Sequence, residues 1–301
     1  MTGKADGDRM NAVEITGKTK VAGVFGDPVE HSLSPAMHNA AFRRLGMDWV
    51  YVPFHVKPEQ LGEAVRAVRA LGLAGVNVTV PHKVAVMEHL DAVDEEARLI
   101  GAVNTVVHRD GRLVGYNTDG RGFLRSLARE AQVDPKGARV LILGAGGAAQ
   151  AIACSLALHG AGAITIANRT VSKAEALAAR VRERAPARAV PLAPGDPRFE
   201  EALAGAEIVV HTTTVGMYPR HQEEPLIPVE RLRDGALVCD IVYRPRETAL
   251  LRAAKARGLR VLTGEGMLAY QGAIAFELFT GRAAPEELML AVLRERLAAG
   301  G

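Results

Sequence analysis

Residues 139–161, RVLILGAGGAAQAIACSLALHGA, restrict the fold of this chain more than any other stretch of it. An apolar run leads straight into Gly144, Ala145, Gly146, Gly147, Ala148 and Ala149, and small apolar residues in a helical pattern follow. The six residues satisfy GxGxxG/A between a strand and a helix, the setting that gives this pattern its meaning. Glycine lets the backbone approach a pyrophosphate, and the amides that open the helix, having no intrahelical acceptors, face its negative charge. A dinucleotide is therefore expected on this turn. Glycine-rich turns also serve plain strand-to-helix packing, and the flanking pattern is what favours the cofactor here.

The strand that follows should end beside the adenosine ribose. NAD enzymes usually place Asp or Glu there, accepting from the ribose hydroxyls. This chain instead has Asn168, Arg169 and Thr170, with Lys173 three residues further on. No carboxylate repels a phosphate at that point. A guanidinium forks onto phosphate oxygens through charge-assisted hydrogen bonds worth about 1.5–3 kcal/mol each. Arg169, supported by Lys173 and Thr170, points to the 2′-phosphate of NADP. The plain alternative is a solvated basic residue with Thr170 capping the next helix.

Strand and helix alternate through the rest of the chain. Before the glycine turn, strands are expected at 21–25, 49–54 and 75–80, helices at 35–46, 58–71 and 87–100, and a hairpin at 103–117 turning at Asp110 and Gly111. After it, strands are expected at 163–167, 208–212 and 236–241, and the Pro- and Ala-rich stretch 185–197 reads as an irregular connection. Such alternation predicts an α/β protein with parallel or mixed sheets covered on both faces. With 301 residues, 48% of them hydrophobic, two modest cores fit better than one.

A net charge of +3 with the two signs interspersed calls for no polyanion, so nucleic acid is not expected as a partner. Cys154 lies in a helical pattern and Cys239 in a strand pattern, without disulfide or metal-ligand spacing. The expectation is a reducing, cytoplasmic setting and no metal. The opening residues are polar, and no segment approaches the ~20 apolar residues of a membrane helix. A soluble protein with a flexible extension over 1–17 is expected.

Eight strings carry a family resemblance: GDPVEHSLSPAMHN (26–39), NVTVPHK (77–83), GAVNT (101–105), NTDG (117–120), GAGGAA (144–149), NRTVSKA (168–174), DIVYRPRET (240–248) and GMLAYQG (266–272). In this order and spacing, over roughly residues 21–282, the chain resembles the shikimate dehydrogenase family. The resemblance implies reversible NADPH-dependent reduction of 3-dehydroshikimate to shikimate in aromatic amino-acid biosynthesis. It implies Lys83 as the acid/base residue and Asp119 as its partner. Physically, hydride delivered to a carbonyl carbon builds negative charge on the oxygen, which an ammonium both stabilises and protonates. By the same resemblance Ser32 and Ser34 hold the substrate carboxylate. Thr79, Asn104, Tyr243 and Gln271 supply the remaining contacts, and Asn77 joins them or braces the loop. Ile241, Gly264 and Met267 line the nicotinamide, and Glu95 matches a weaker cofactor-associated position.

The implied architecture is a substrate-binding domain of residues 18–118 and 265–301, with a Rossmann-like NADP domain, 119–264, inserted between them. The assembly expected is a monomer or homodimer. Rival readings are a quinate/shikimate dehydrogenase with broader substrate or NAD use, a non-catalytic NADP-binding sensor, and a folate-linked dehydrogenase. A sensor should have lost Lys83 or Asp119, and both are present. One departure stands out: where the family usually carries Asn before its Thr-rich turn, this chain has His211, followed by Thr212, Thr213, Thr214, Val215, Gly216 and Met217. His211 is expected to be a hydrogen-bonded structural residue or to alter the loop or cofactor affinity. His82, in place of an aromatic residue, is given no catalytic role.

Overall fold

The computed structural model describes residues 14–218 and 224–299. Residues 1–13 of the expected extension lie outside this range, and 14–19 form no regular element. The first sheet has the order β2-β1-β3-β5-β6-β4, built from β1 (Lys20–Gly26), β2 (Trp49–His55), β3 (Gly75–Val78), β4 (Ala92–Val93), β5 (Thr105–Arg109) and β6 (Arg112–Tyr116). β1 pairs parallel with β2 and β3, whereas β5 runs antiparallel to β3 and β6. The last five residues of β1 are all buried, as a strand covered on both faces requires. One face packs on α1 (Ser34–Arg44) and the other on α2 (Leu61–Ala70). The β5–β6 hairpin turns through Asp110 (φ 53°) and Gly111 (φ 74°), the positive-φ pair that a two-residue turn demands.

The second sheet, β12-β11-β10-β7-β8-β9, is parallel throughout. Its strands are β7 (Arg139–Leu143), β8 (Ala163–Asn168), β9 (Ala187–Pro191), β10 (Ile208–His211), β11 (Leu237–Asp240) and β12 (Arg260–Leu262). The order reverses between β7 and β10, where a doubly wound sheet opens its ligand crevice. Val140 and Ile142 of β7 face a core with Ile152 and Leu156, and Leu141 and Leu143 face another with Phe199 and Leu251. These residues come from α5 (Gly147–Leu158), α7 (Pro197–Gly205) and α8 (Ala249–Ala256), and α6 (Val171–Val181) joins the first core.

Two expectations are corrected. Residues 87–100 are not one helix: a 3₁₀ turn, Ala85–His89, is followed by β4 and only then by α3 (Glu95–Ile100). Pairing to β6 outweighs the helical pattern here. Asp91 N–H donates to Leu113 O at 3.0 Å, Leu113 N–H donates to the Asp91 carboxylate at 2.6 Å, and the Asp94 side chain caps α3 by accepting from Glu96 N–H. Residues 185–197 are not wholly irregular either, because 187–191 add β9 to the sheet edge, where Pro191 leaves no inner ladder unmade.

α4 (Asp119–Ser126) lies between α5 and α9 (Gly264–Thr280). A side chain at Gly120 would strike Ser155 and Ala151, and one at Gly122 would strike Gln271, so small residues set this close approach. α9 and α10 (Glu286–Ala299) pack back on the first sheet, with Tyr270, Phe276 and Met289 against Met37, Phe42 and Tyr51. Among the described residues no helix is long and apolar enough to cross a membrane.

Candidate active site

A cleft of about 600 Å³ opens between the strand ends of the two sheets. Its first wall comes from the segments after β1 and β3. Ser32 and Ser34 lie there, half-buried, and the Ser34 N–H donates to Ser32 Oγ at 3.3 Å. α1 begins at Ser34, with Leu33 in the capping position and no side-chain cap, so neither serine acts as its N-cap. Both face the cleft with the helix start behind them.

Lys83 follows β3 on a loop pinned from below. His82 is buried and its Nε2–H donates to Val56 O at 2.6 Å, while Val103 N–H donates to Lys83 O at 2.8 Å. With the imidazole anchored inward, the neighbouring lysine projects into the cleft. Its Nζ sits 2.6 Å from Asp119 Oδ2, at the first residue of α4. Asn104 Nδ2 donates to Asp119 Oδ1 at 2.9 Å, and Asn104 Oδ1 accepts from Thr118 N–H at 2.8 Å. The amide is therefore oriented from both ends, and the carboxylate presents one oxygen to the ammonium and one to the amide. Gln271 on α9 joins at the edge, with its Oε1 3.5 Å from Asn104 Nδ2.

Thr79, Asn77 and Tyr243 complete the polar lining. Asn77 lines the cleft, and its amide braces Asn104 O at 3.2 Å and Thr105 Oγ1 at 2.9 Å. Burial pushes the Tyr243 hydroxyl above the usual tyrosine range, partly offset by the Arg244 guanidinium, although 39% of the residue is exposed. It is a proton donor at neutral pH.

The opposite wall belongs to the second sheet. Ala148, Ile241, Gly264 and Met267 reach the cleft. Gly144 is at φ 118°, where a Cβ would meet Thr212 Oγ1 at 2.5 Å; Gly146 and Gly147 are exposed and a Cβ on either would meet nothing within 4 Å. The first glycine is thus demanded by the chain itself, while the space over the other two is open above the amino terminus of α5. That cradle fits a pyrophosphate. Ala145 is half-buried beside it and packs on the core. Gly144 N–H donates to Ala167 O at 2.8 Å, which brings the end of β8 alongside the turn. There Asn168 Nδ2 donates to Thr170 O, and Thr170 starts α6 without a side-chain cap. Arg169 and Lys173 are exposed and have no ion-pair partner among the described residues. Two unpaired cations beside an open glycine cradle suit an extra phosphate.

Glu95 is not brought to the cleft. It opens α3 with its side chain 87% exposed, facing Arg184 at 3.5 Å. Conversely, the site contains groups not singled out from sequence. Tyr51 of β2 donates to Asn77 Oδ1 at 2.7 Å, its hydroxyl pushed well above the usual range by burial, against a lowering hydrogen bond from Ser34. Thr118 buttresses Asn104, and Met217 lines the cleft. Tyr51 looks like ordinary strand core in sequence, because its partner lies two strands away across β1.

This arrangement can exchange a proton with a ligand oxygen through an ammonium held by a carboxylate, and can match hydroxyls with neutral polar groups, beside a dinucleotide cradle. Residues 24–106 match the shikimate dehydrogenase substrate binding domain, 126–250 the shikimate / quinate 5-dehydrogenase family, and 264–294 the shikimate 5′-dehydrogenase C-terminal domain. The chain is 48% identical over 291 residues to shikimate dehydrogenase (NADP(+)) of Desulforamulus reducens, covering 97% of this chain and all of that one. Among solved structures, shikimate 5-dehydrogenase of Listeria monocytogenes, in complex with shikimate and NAD, has a TM-score of 0.88 at 39% identity, covering 93% of this chain and 98% of that one. The Thermus thermophilus enzyme, in complex with NADP(H) and shikimate, has a TM-score of 0.80 at 40% identity, covering 92% and 99%. Family motifs, identity along nearly the whole chain and a shared two-sheet fold agree, and the chain belongs to the shikimate dehydrogenase family.

Proposed function

We propose that this protein is an NADP-dependent shikimate dehydrogenase, interconverting 3-dehydroshikimate and shikimate in aromatic amino-acid biosynthesis. One observation carries the reading: Lys83 Nζ, 2.6 Å from Asp119, stands in a cleft whose other wall is an open glycine cradle flanked by Arg169 and Lys173. When bound, NADPH supplies the hydride. The residues of this chain do the rest. Lys83 holds a proton at Nζ for the carbonyl oxygen and takes it back in the reverse direction, while Asp119 fixes the position of the amine. Asn104 holds Asp119 in place, and with Thr79, Asn77 and Gln271 it meets the ring hydroxyls. Ser32, Ser34 and the Tyr243 hydroxyl donate to the carboxylate.

Gly144, Ala145, Gly146, Gly147 and Ala148 hold the pyrophosphate, and Asn168, Arg169, Thr170 and Lys173 read the adenosine ribose and its 2′-phosphate. Ile241, Gly264 and Met267 face the nicotinamide. Glu95, paired with Arg184 on the surface, is given no part. We assign residues 18–118 and 265–301 to a substrate domain and 119–264 to a dinucleotide domain. Closure of the cleft between them excludes water from the reacting centre. Two buried, unpaired cysteines suit the cytoplasm.

The test is Lys83→Ala, at a side chain that is 30% exposed. The expected kcat falls about 10²- to 10⁴-fold with NADPH affinity retained, as for loss of a general acid. An unchanged kcat removes Lys83 from the chemistry. Oxidation of shikimate and of quinate, each with NADP and with NAD, separates this reading from a quinate enzyme.

A further inference from the structure

We propose that His211 is a positioning residue for the dinucleotide, setting through Thr213 the turn that forms the far side of the glycine cradle. The inference rests on the NADP reading and adds to it a residue that touches neither cofactor nor substrate.

β10 and β11 are parallel neighbours, and their last residues, His211 and Asp240, are register partners. Both side chains are buried, at 1% and 0% exposure, with His211 Nδ1 2.9 Å from Asp240 Oδ2. The approach is too bent for a well-formed hydrogen bond, so this arm is mainly an electrostatic contact. Asp240 does not depend on it. Its Oδ1 accepts from Val242 N–H at 2.9 Å and its Oδ2 from the Thr248 hydroxyl at 2.7 Å, which ties Asp240 to the start of α8.

The other ring nitrogen is the better-directed one. His211 Nε2 lies 2.5 Å from Thr213 Oγ1, which also accepts from Val215 N–H at 3.2 Å. Those contacts assign the tautomer: with the proton on Nδ1 facing the carboxylate, Nε2 accepts from the Thr213 hydroxyl. Thr213 is thereby held from both sides, and the turn through Gly216 (φ 78°) to Met217 is built on it.

This turn follows β10 and the glycine turn follows β7, so the two flank the point at which the strand order reverses. They touch: an added Cβ at Gly144 would meet Thr212 Oγ1 at 2.5 Å and Thr213 Cγ2 at 3.1 Å, and Thr212 Oγ1 donates to Leu143 O at 2.8 Å. Beyond them Met217 lines the cleft with Ile241 and Ala148. A shift of Thr213 is therefore a shift of the surface on which the dinucleotide lies.

Side-chain isosteres separate the two arms. The amide nitrogen of asparagine falls near Nδ1 and keeps the Asp240 arm, whereas the amide of glutamine reaches the position of Nε2 and keeps the Thr213 arm. Binding of NADPH to the full-length protein, followed by fluorescence titration, is expected to weaken about 3- to 10-fold in His211→Asn, the worth of one hydrogen bond. Thr213→Val should match it, the double variant should be no weaker than either single one, and His211→Gln should restore the affinity. In turnover the loss should appear in KM for NADPH and not in kcat. If His211→Asn binds NADPH as tightly as the wild type, or if His211→Gln is as weak as His211→Asn, the inference is overturned, and so it is if the two losses add in the double variant. A wild-type protein that binds no NADPH overturns the functional reading as well.

Discussion

His38 is a fully buried imidazole stacked at 4.2 Å and 5° on the Tyr51 ring, behind the hydroxyl that orients Asn77. Neither ring nitrogen has a hydrogen-bond partner among the described residues, and burial lowers its pKa from 6.5 to about 3. Above pH 6.5 the ring is neutral folded or unfolded and its titration has no effect on stability. As pH falls below 6.5 the unfolded chain takes up a proton that the folded protein refuses, so stability declines towards pH 3. Between pH 7 and pH 5 this one group should cost about 2 kcal/mol at ~1.4 kcal/mol per pH unit. Urea midpoints at the two pH values should show His38→Leu losing that much less than the wild type. Arg169 illustrates the opposite case, an exposed cation suited to a partner brought by the ligand. Arg169→Ala should weaken NADPH about 10- to 100-fold, the range of a charge-assisted pair, and NADH hardly at all. Equal losses for the two nucleotides would refute the 2′-phosphate role.

At the scale of an element, the β7–α5 turn shows glycine serving two unrelated needs only two residues apart. Gly144 is required by the fold, because φ 118° and the Thr212 hydroxyl leave no room for a side chain. Gly144→Ala should therefore destabilise the protein by about 1–3 kcal/mol in urea. Gly146 stands at φ −83° and ψ −174°, open to any residue, with free space around it. Gly146→Ala should change stability by less than ~1 kcal/mol while reducing NADPH binding about tenfold or more, since the methyl occupies the pyrophosphate cradle. Parallel behaviour of the two variants would mean that the cradle holds no phosphate. α4 is the matching element on the substrate side. Its glycines let it press between α5 and α9, and Asp119, its first residue, is thereby fixed against both Asn104 and Lys83.

At the scale of the molecule, α4 and α9 carry the junction between the two sheets. Glu265, buried at the start of α9, pairs with Arg246 at 3.0 Å and Arg294 at 3.2 Å, and Arg294 reaches Glu130 at 2.8 Å. Arg246 follows β11 and Arg294 lies on α10, so one carboxylate ties the dinucleotide-side sheet to the carboxy-terminal helices. Ligands that bind only the folded protein stabilise it by mass action. NADPH at a hundred times its dissociation constant should add about 2.7 kcal/mol, read as a shift in the unfolding transition. No shift at millimolar NADPH would mean that the folded protein does not bind it.

The sequence by itself determined whatever depends on residues close along the chain. The glycine turn, the Asp110–Gly111 hairpin, the alternation of strand and helix, and Arg169 with Lys173 after β8 are local chemistry, read from spacing and residue type. Lys83, Asp119, Ser32 and Ser34 were legible only through an ordered set of motifs, for no spacing rule puts a lysine at 83 beside an aspartate at 119. Only the tertiary structure decided the rest. β4 and β9 exist because a neighbouring strand offered its edge, which periodicity in 87–100 and 185–197 does not encode. Glu95, at the first residue of α3, faces Arg184 on the surface. Tyr51 met Asn77, and His211 met Asp240, through sheet order and register. Those contacts span distant segments whose loop-closure entropy is overcome by cooperative burial of whole faces, a property of no single residue.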